Sequence, residues 1–314
     1  MKIRNKVVGL FRYLRYNQWG LVDRLIVSYA WWLPDELYIK TRFRAKMGVW
    51  PNLKNPRTFN EKINWLKLHN QRPEYTTMVD KLAVKEYVAN IIGEEYVIPT
   101  LFVWNSLEEI EWEKLPQKFV LKTTHGGGGC GVVICHNKSS FDRQMAIEKL
   151  QTSMKSVAGR AFREYPYYKV SKRIIAEQIL EIKNQDGGEL KDYKFFCFNG
   201  IVRFFKIDFG RFVDHHANYY SPTGQLLPFG ESDCPPVPKH VETIPDSLSQ
   251  MIAIAEKLSA GMPFLRVDLY NVDGMIYFGE MTFFPAGGLG KFTPVESDCE
   301  IGQMFNLSLN TLNI

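Results

Sequence analysis

Arg266 and Asp268 stand two residues apart in Phe264-Leu-Arg-Val-Asp-Leu-Tyr270. Glu280 and Thr282 stand two apart in Met275-Ile-Tyr-Phe-Gly-Glu-Met-Thr-Phe283. Side chains two apart on a strand share a face. Asn271-Val-Asp-Gly274 lies between the two runs and supplies turn chemistry, so the stretch reads as a β-hairpin. A hairpin can gather Asp268, Glu280, the Thr282 hydroxyl and Arg266 into one patch. Carboxylates are hard oxygen donors suited to Mg²⁺, and arginine offers a planar fork for phosphate oxygens. A surface hairpin with a simple Arg–Asp pair would satisfy the same spacing.

A second stretch supports the cation reading. Lys122 lies in the strand-like run Phe119-Val-Leu-Lys-Thr123, and Gly126, Gly127, Gly128 and Gly129 follow, with Gly131 beyond. Glycines let backbone N–H groups close on phosphate oxygens without interference from a Cβ. A lysine on the preceding strand adds positive charge at the same place. No Gly-Lys-Ser/Thr follows, and the glycines lead into Val-Val-Ile rather than a helix. That excludes a P-loop and a dinucleotide-binding fingerprint. A strand–loop–strand flap over a nucleotide fits, against the alternative of a flexible turn. Asp80-Lys81 near a helix start, and Asp192 with Lys194 on one strand face, are weaker signals that also suit plain ion pairs. His215-His216 lack a metal-ligand spacing.

These residues need elements to hold them. Thr58 and Glu61 make a capping box for a helix running to His69. A second helix is expected from near Asp80, with Gly93 as its stop. Strand material is expected at 97–104, 119–123, 131–135 and 173–180. A helix is expected over 140–158, after Ser139 or Ser140. Asn199-Gly200 marks a hairpin joining 192–198 to 201–209. Residues 210–244 read as loop, Pro245 to Ala260 as a helix, and the C-terminus as a short helical tail. A further loop is expected around Asp186-Gly187-Gly188. Antiparallel hairpins with helices between them argue an α+β fold. The expected divisions are a helical basic region over 1–75, a flap portion over 76–180 and a metal-binding portion over 181–314.

The chain has 314 residues, 45% hydrophobic and 23% charged, ordinary for a globular protein with ample core. Its five cysteines form no Cys-x-x-Cys, so neither a disulfide framework nor a thiolate zinc site is expected. A reducing cytoplasm fits, with no membrane span and no signal peptide expected. Residues 1–50 hold ten Lys/Arg against Asp23, Asp35 and Glu36, a net of +7 in a chain of +5. The basic excess is interleaved with Tyr13, Tyr16, Trp19, Trp31 and Trp32. It suits an anionic membrane surface, an acidic polymer, or a helical cap with a solvated basic face. No nucleic-acid motif accompanies it.

Taken in order, Asp80-Lys81, Lys122, the 126–131 glycines, Glu177-Gln-Ile-Leu180, Arg266-Val-Asp268 and Glu280-x-Thr282 resemble the ATP-grasp superfamily. Phe59-Asn-Glu-Lys-Ile63, Trp65-Leu-Lys67, Asp192-Tyr-Lys194 and Phe278-Gly-Glu-Met-Thr282 narrow the resemblance to the TupA-like ATP-grasp family of polysaccharide-biosynthesis clusters. It spans about residues 50 to 300. The resemblance implies an ATP-grasp fold in which two α+β subdomains clasp ATP. It implies that Lys81 and Lys122 hold nucleotide phosphates, and that Glu177, Gln178 and Leu180 form the hinge that reads adenine. Lys194 would approach phosphate, Asp268 and Glu280 would bind Mg²⁺, and Arg266 would stabilise the transferring phosphoryl group. Two Mg²⁺ ions are implied, with Mn²⁺ as a substitute. Thr282 stands where many ATP-grasp ligases carry a metal-binding Asn, and a hydroxyl is the weaker ligand. The ribose partner is Glu181 or Asp192.

The implied activity is a carboxylate–amine ligase that forms an acyl phosphate and releases ADP. The expected acceptor is an acidic glycan or sugar acid such as a uronic acid of a surface-polysaccharide precursor, with an amino acid or other amine as co-substrate. The location implied is cytoplasmic, at or near the inner face of the membrane. The competing readings are a glycosyltransferase of the same setting and an ATP-grasp kinase. A sugar-nucleotide transferase would more naturally carry an Asp-x-Asp pair, and none occurs.

Overall fold

The computed structural model describes residues 19–182, 190–210 and 214–307. The expected helical reading of residues 1–18, the loop at Asp186-Gly187-Gly188 and the last residues of the tail lie outside them. Four strands, β1 (Thr100–Trp104), β2 (Phe119–Thr123), β3 (Val132–Cys135) and β4 (Ile174–Glu177), form an antiparallel sheet in the order β1-β4-β2-β3. Five others form a larger antiparallel sheet. They are β5 (Asp192–Phe198), β6 (Ile201–Phe209), β7 (His216–Tyr220), β9 (Phe264–Val272) and β10 (Met275–Thr282), in the order β10-β9-β5-β6-β7. A short pair, β8 (Gly230–Glu231) with β11 (Phe292–Thr293), forms a separate two-stranded sheet.

The hairpin signals act as turn chemistry requires. Asn199-Gly200 has φ of 50° and 78°, and Asp273-Gly274 has 51° and 89°. Two successive positive φ values match the right-handed twist of the strands they join. Residues 19–29 form helix α1, followed by α2 (Asp35–Met47), α3 (Phe59–His69), α4 (Glu74–Val79) and α5 (Ala83–Ile92). The Thr58/Glu61 capping box is present at α3. The helix expected over 140–158 is shorter, α6 (Arg143–Lys155). It starts at the carboxylate of Asp142, which accepts from Met145 N–H at 2.9 Å. Ser139 and Ser140 lie instead in a 3₁₀ turn. Helix α4 was not expected. Neither were β7 and β8, which fall inside the stretch read as loop because β7 is only five residues long. Helices α7 (Leu248–Leu258) and α8 (Ser297–Gln303) complete the chain.

Each sheet has its own core. Phe119, Leu121, Ile174 and Ala176 of the smaller sheet bury against Ala146 and Leu150 of α6. The larger core joins Phe195, Phe198, Phe204 and Phe264 to α3, α5 and α7. Phe59 of α3 sits at its centre, edge-on to Phe198, Phe264, Phe292 and Phe305. Burying such a ring contributes about 1.5–3 kcal/mol. Helices α3 to α5 precede the smaller sheet in the chain yet bury their apolar faces in the larger one.

Candidate active site between the sheets

One register line crosses the larger sheet. Glu280 of β10 lies opposite Asp268 of β9, Asp268 opposite Lys194 of β5, Lys194 opposite Lys206 of β6, and Lys206 opposite Tyr219 of β7. Opposed residues on paired strands share a face, so the five line one surface. Arg266 and Asp192 are two residues from members of this line and so lie on the same face. Arg266 grips Asp268 with two bonds of 2.6 and 2.7 Å and reaches Glu280 Oε1 at 2.8 Å. Thr282 Oγ1 donates to the same Glu280 oxygen at 2.9 Å.

A bulge makes this patch possible. Counted from the Asp273-Gly274 turn, regular pairing continues to Phe278 opposite Leu269 and then slips by one residue. Without the slip, Glu280 would oppose Val267 and point into the core with it. The extra residue is Gly279. A Cβ there would lie 3.0 Å from the backbone oxygen of Asp268 and 3.1 Å from the Tyr270 ring. Gly279→Ala is therefore expected to cost about 1–3 kcal/mol of stability and to displace Glu280 from Asp268. Thermal unfolding and ADP release measure the two effects. Wild-type values in both would show that the bulge does not depend on glycine.

Burial and charge set the ionisation of this patch. Burial raises the Glu280 carboxyl, but Arg266, Lys81 and Lys194 outweigh it and hold the group down at about 2. Burial pushes Asp268 up to about 6 against the pull of Arg266 and Lys194. Burial lowers Lys194, yet the carboxylates of Asp192, Asp268 and Asp208 more than reverse that and raise it. Lys194 pairs with Asp192, and stands 3.2 Å from Asp208 and 3.3 Å from Asp268.

A small cleft lies between the smaller sheet and β10, lined by Lys81, Lys85, Lys122 and Glu177 together with Phe278 and Gly279. Val84, Val97 and Ile98 give it an apolar wall. The Glu177 carboxylate is buried between two ammonium groups, Lys122 at 2.6 Å and Lys85 at 2.5 Å. Burial raises Glu177, and the two lysines overcome this and lower it. Lys85 also donates to Ile98 O and Thr100 Oγ1, each at 2.7 Å. Lys81 donates to Gly126 O at the root of the flap, and burial lowers its pKa. Gly126 is packed tightly, since a Cβ there would meet Cys130 O at 2.6 Å. Gly127, Gly128 and Gly129 have nothing within 4 Å of such a Cβ, so the tip projects into open space.

Lys122→Ala is expected to weaken ATP binding by about 1–3 kcal/mol, the scale of one charge-assisted bond. Unchanged ATP affinity in calorimetry would remove Lys122 and the flap from the nucleotide site. The same cluster predicts an acid-side effect. A carboxylate lowered by folding adds stability above its unfolded pKa, 4.5 for Glu177, and loses it as pH falls through the folded value. Glu177→Gln should therefore flatten the fall in melting temperature below pH 4.5, and an unchanged acid limb would contradict the pairing.

The remaining expected residues spread out. Gln178 and Leu180 follow β4 beside the cleft, and Gln178 N–H is already given to Pro99 O at 3.1 Å. Glu181 pairs with Lys118 at 2.7 Å at the surface, and Asp192 lies buried beside Lys194. In the sequence Lys85, one turn beyond Lys81, makes only a weak basic pair that most often is a solvated face, so it was not counted among the site residues. Sequence reading missed Lys206, Asp208 and Glu231, which continue the polar surface: Lys206 is 3.0 Å from Glu231 and 3.6 Å from Asp208. His215 does meet other ligand types, Asp208 and Cys234. Asp208 is claimed by Lys194 and Lys206 as well.

Helix α3 also has a part here. Asn60 Nδ2 donates to Gly290 O at 2.8 Å, Asn64 Nδ2 to Gly288 O at 2.7 Å, and Lys67 Nζ to Gly287 O. These residues form one stripe on the helix and clamp the loop that follows β10. Ala286, Gly287 and Gly288 in that loop all have positive φ.

A flap sheet set over a sheet that ends in a carboxylate hairpin is the α+β arrangement expected of an ATP-grasp protein. The chain belongs to the TupA-like ATP-grasp family, whose profile matches residues 61–306. With that match the expected ATP-grasp family stands. A search of curated protein sequences finds no match. Among solved structures the chain is similar to D-alanine–D-alanine ligase from Helicobacter pylori, at 14% identity over 79% of this chain and 69% of that one, with a TM-score of 0.42. It is similar to N5-carboxyaminoimidazole synthetase from Staphylococcus aureus in complex with ADP, at 18% identity over 66% and 44%, TM-score 0.38. An ATP-grasp RimK domain protein from Sphaerobacter thermophilus gives 12% identity over 74% and 69%, TM-score 0.39. The family match, not these likenesses, carries the assignment.

Proposed function

We propose that the protein is an ATP- and Mg²⁺-dependent carboxylate–amine ligase that forms an amide through an acyl phosphate and releases ADP. The acceptor proposed is a uronic-acid carboxylate of a capsular or surface-polysaccharide precursor, and the nucleophile an amino acid or other amine. The place proposed is the cytoplasm. The observation that carries the chemistry is the pairing of Asp268 with Glu280 across the hairpin, with Arg266 bridging both.

The donor set fits Mg²⁺. Two opposed carboxylates and a hydroxyl are hard oxygen ligands, and the Arg266 fork occupies the position of a cation between them. Asp268 and Glu280 would hold the ion, with Thr282 beside them. Bound there, it would neutralise the charge of the phosphates.

The chain's own groups divide the rest of the work. Carboxylate and triphosphate repel each other as anions, and Lys81, Lys122, Lys194 and Arg266 offset that repulsion. Arg266 would supply fixed positive charge to the moving phosphoryl oxygens, the place where such charge lowers a barrier most. The apolar wall of Val84, Val97 and Ile98 suits a nucleobase, next to backbone groups at Gln178 to Leu180. The Gly127–Gly129 tip has room to close over phosphates. The loop clamped by α3 lies beside the metal hairpin and would shield an acyl phosphate from water. The glycan acceptor rests on the family's polysaccharide setting. The test is whether ATP cleavage to ADP and phosphate waits for an acidic acceptor. Cleavage of a sugar nucleotide with ATP untouched would make the protein a glycosyltransferase.

A further inference from the structure

Among the described residues, none of 19–50 lines the cleft described above, yet this segment carries a close series of exposed large apolar side chains. Leu21, Leu25 and Tyr29 follow one another at helical spacing along α1 and are 45%, 49% and 71% exposed. Trp31 and Trp32 come next in the turn to α2, at 58% and 68%. The other side of α1 is fixed to the protein: Ile26 is buried, and buried Asp23 pairs with Arg42 at 2.7 Å. The turn is fixed as well. Arg163 donates to Trp31 O at 2.8 Å and to Leu33 O at 3.2 Å, and the Arg160 guanidinium lies 5.6 Å from the Trp31 ring centre. The apolar groups are thus held outward by a structured anchor. Scattered exposed apolar residues are ordinary, but a contiguous run of leucine and aromatic side chains marks an interaction surface.

We propose that this face, Leu21, Leu25, Tyr29, Trp31 and Trp32, docks on an anionic lipid bilayer. Tryptophan and tyrosine favour the boundary between water and acyl chain, where one end of the ring is apolar and the other wet. The leucines add apolar depth. Charge selects the lipid. Residues 1–50 carry +7, ten Lys/Arg less Asp23, Asp35 and Glu36. All three acids are already paired, with Arg42, Arg163 and Lys40. Five of the ten, Lys2, Arg4, Lys6, Arg12 and Arg15, directly precede α1 in the sequence, and an apolar helix face beside a basic stretch is the pattern of basic interfacial segments. A second copy of the chain would bring the same positive charge against it. An acidic glycan would meet the charge but offer no apolar interior to the leucines. Among the described residues no helix is long and apolar enough to cross a membrane, so the contact lies along the surface.

The test uses the full chain and vesicles of phosphatidylcholine alone or mixed equally with phosphatidylglycerol. Cosedimentation is expected with the mixed vesicles only, weakening as salt rises. Trp31→Ser/Trp32→Ser should bind about tenfold more weakly, and Leu21→Ser/Leu25→Ser, made in case the first variant misfolds, should do the same. In the wild-type chain, brominated acyl chains should quench tryptophan emission. Absence of binding to the mixed vesicles, full binding by both double variants, or binding without quenching would overturn the proposal. So would either of two other behaviours lost in the variants: concentration-dependent dimerisation without lipid, or retention on polygalacturonate by a protein that ignores vesicles. ATP turnover is not read, so this result and that of the ligase reading are independent.

Discussion

Glu280→Gln is expected to lower ATP turnover by about 10³-fold, the scale of removing one fixed electrostatic group from a transition-state site. The substitution keeps the shape of the side chain and the acceptor oxygen that Thr282 and Arg266 use. It removes the charge opposite Asp268, and with it one of two carboxylates placed to hold Mg²⁺. The fold should survive, because the amide oxygen still accepts from both donors. The measurement is ADP release at saturating ATP, with circular dichroism to confirm folding. A folded variant with near-normal turnover would take Glu280 out of the metal site.

Arg266→Met should have the largest effect on stability. Arg266 is 13% exposed and joins Asp268, 3% exposed, to Glu280. The flanking carboxylates make it still more basic, despite burial. Methionine fills much of the space but leaves two opposed carboxylates without their fork. Breaking a buried ion pair from one side costs about 3–5 kcal/mol. A loss of that size should appear as a lower melting temperature without metal. Mg²⁺ should restore part of it, since an ion placed between the carboxylates would replace the lost charge. An unchanged melting temperature, or a loss that Mg²⁺ leaves untouched, would contradict the pairing.

The hairpins that carry this site were legible because their turns were. Asn199-Gly200 and Asp273-Gly274 need positive φ, and both sit where the strand runs break. The registers were not legible. Regular pairing from Asp273-Gly274 puts Glu280 on the face opposite Asp268, and only the bulge at Gly279 brings the two together. The same holds for Lys206. Counted from Asn199-Gly200 it would oppose Tyr193, but pairing slips between Phe196 and Cys197, leaving Arg203 as the extra residue of β6. That slip sets Lys206 beside Lys194 and Asp208 beside Asp192. A bulge is a packing outcome, and two-residue alternation does not encode it.

Charge partners were equally hidden. Lys85 reads as a surface residue of α5, because nothing local shows that Glu177, far along the chain, lies beside it. The Asn60/Asn64/Lys67 stripe reads as the polar side of an amphipathic helix. Its targets are backbone carbonyls more than two hundred residues away, and backbone carbonyls leave no mark in a sequence. Glycines were more readable. Four in a row cost conformational entropy with no packing return, and three of them do project into open space.

The central claim is that phosphoryl transfer goes to a carboxylate. Ligase and kinase share the lysines, the flap and the Arg266/Asp268/Glu280 patch, so the acceptor decides between them. The most direct measurement incubates the protein with ATP, Mg²⁺, a uronic-acid acceptor and hydroxylamine. An acyl phosphate is attacked by hydroxylamine to give a hydroxamate, with release of phosphate. The ligase reading predicts acceptor-dependent ADP and phosphate, and an acceptor converted to its hydroxamate. A stable phosphorylated acceptor, with no hydroxamate and no free phosphate, would contradict it and make the enzyme a kinase.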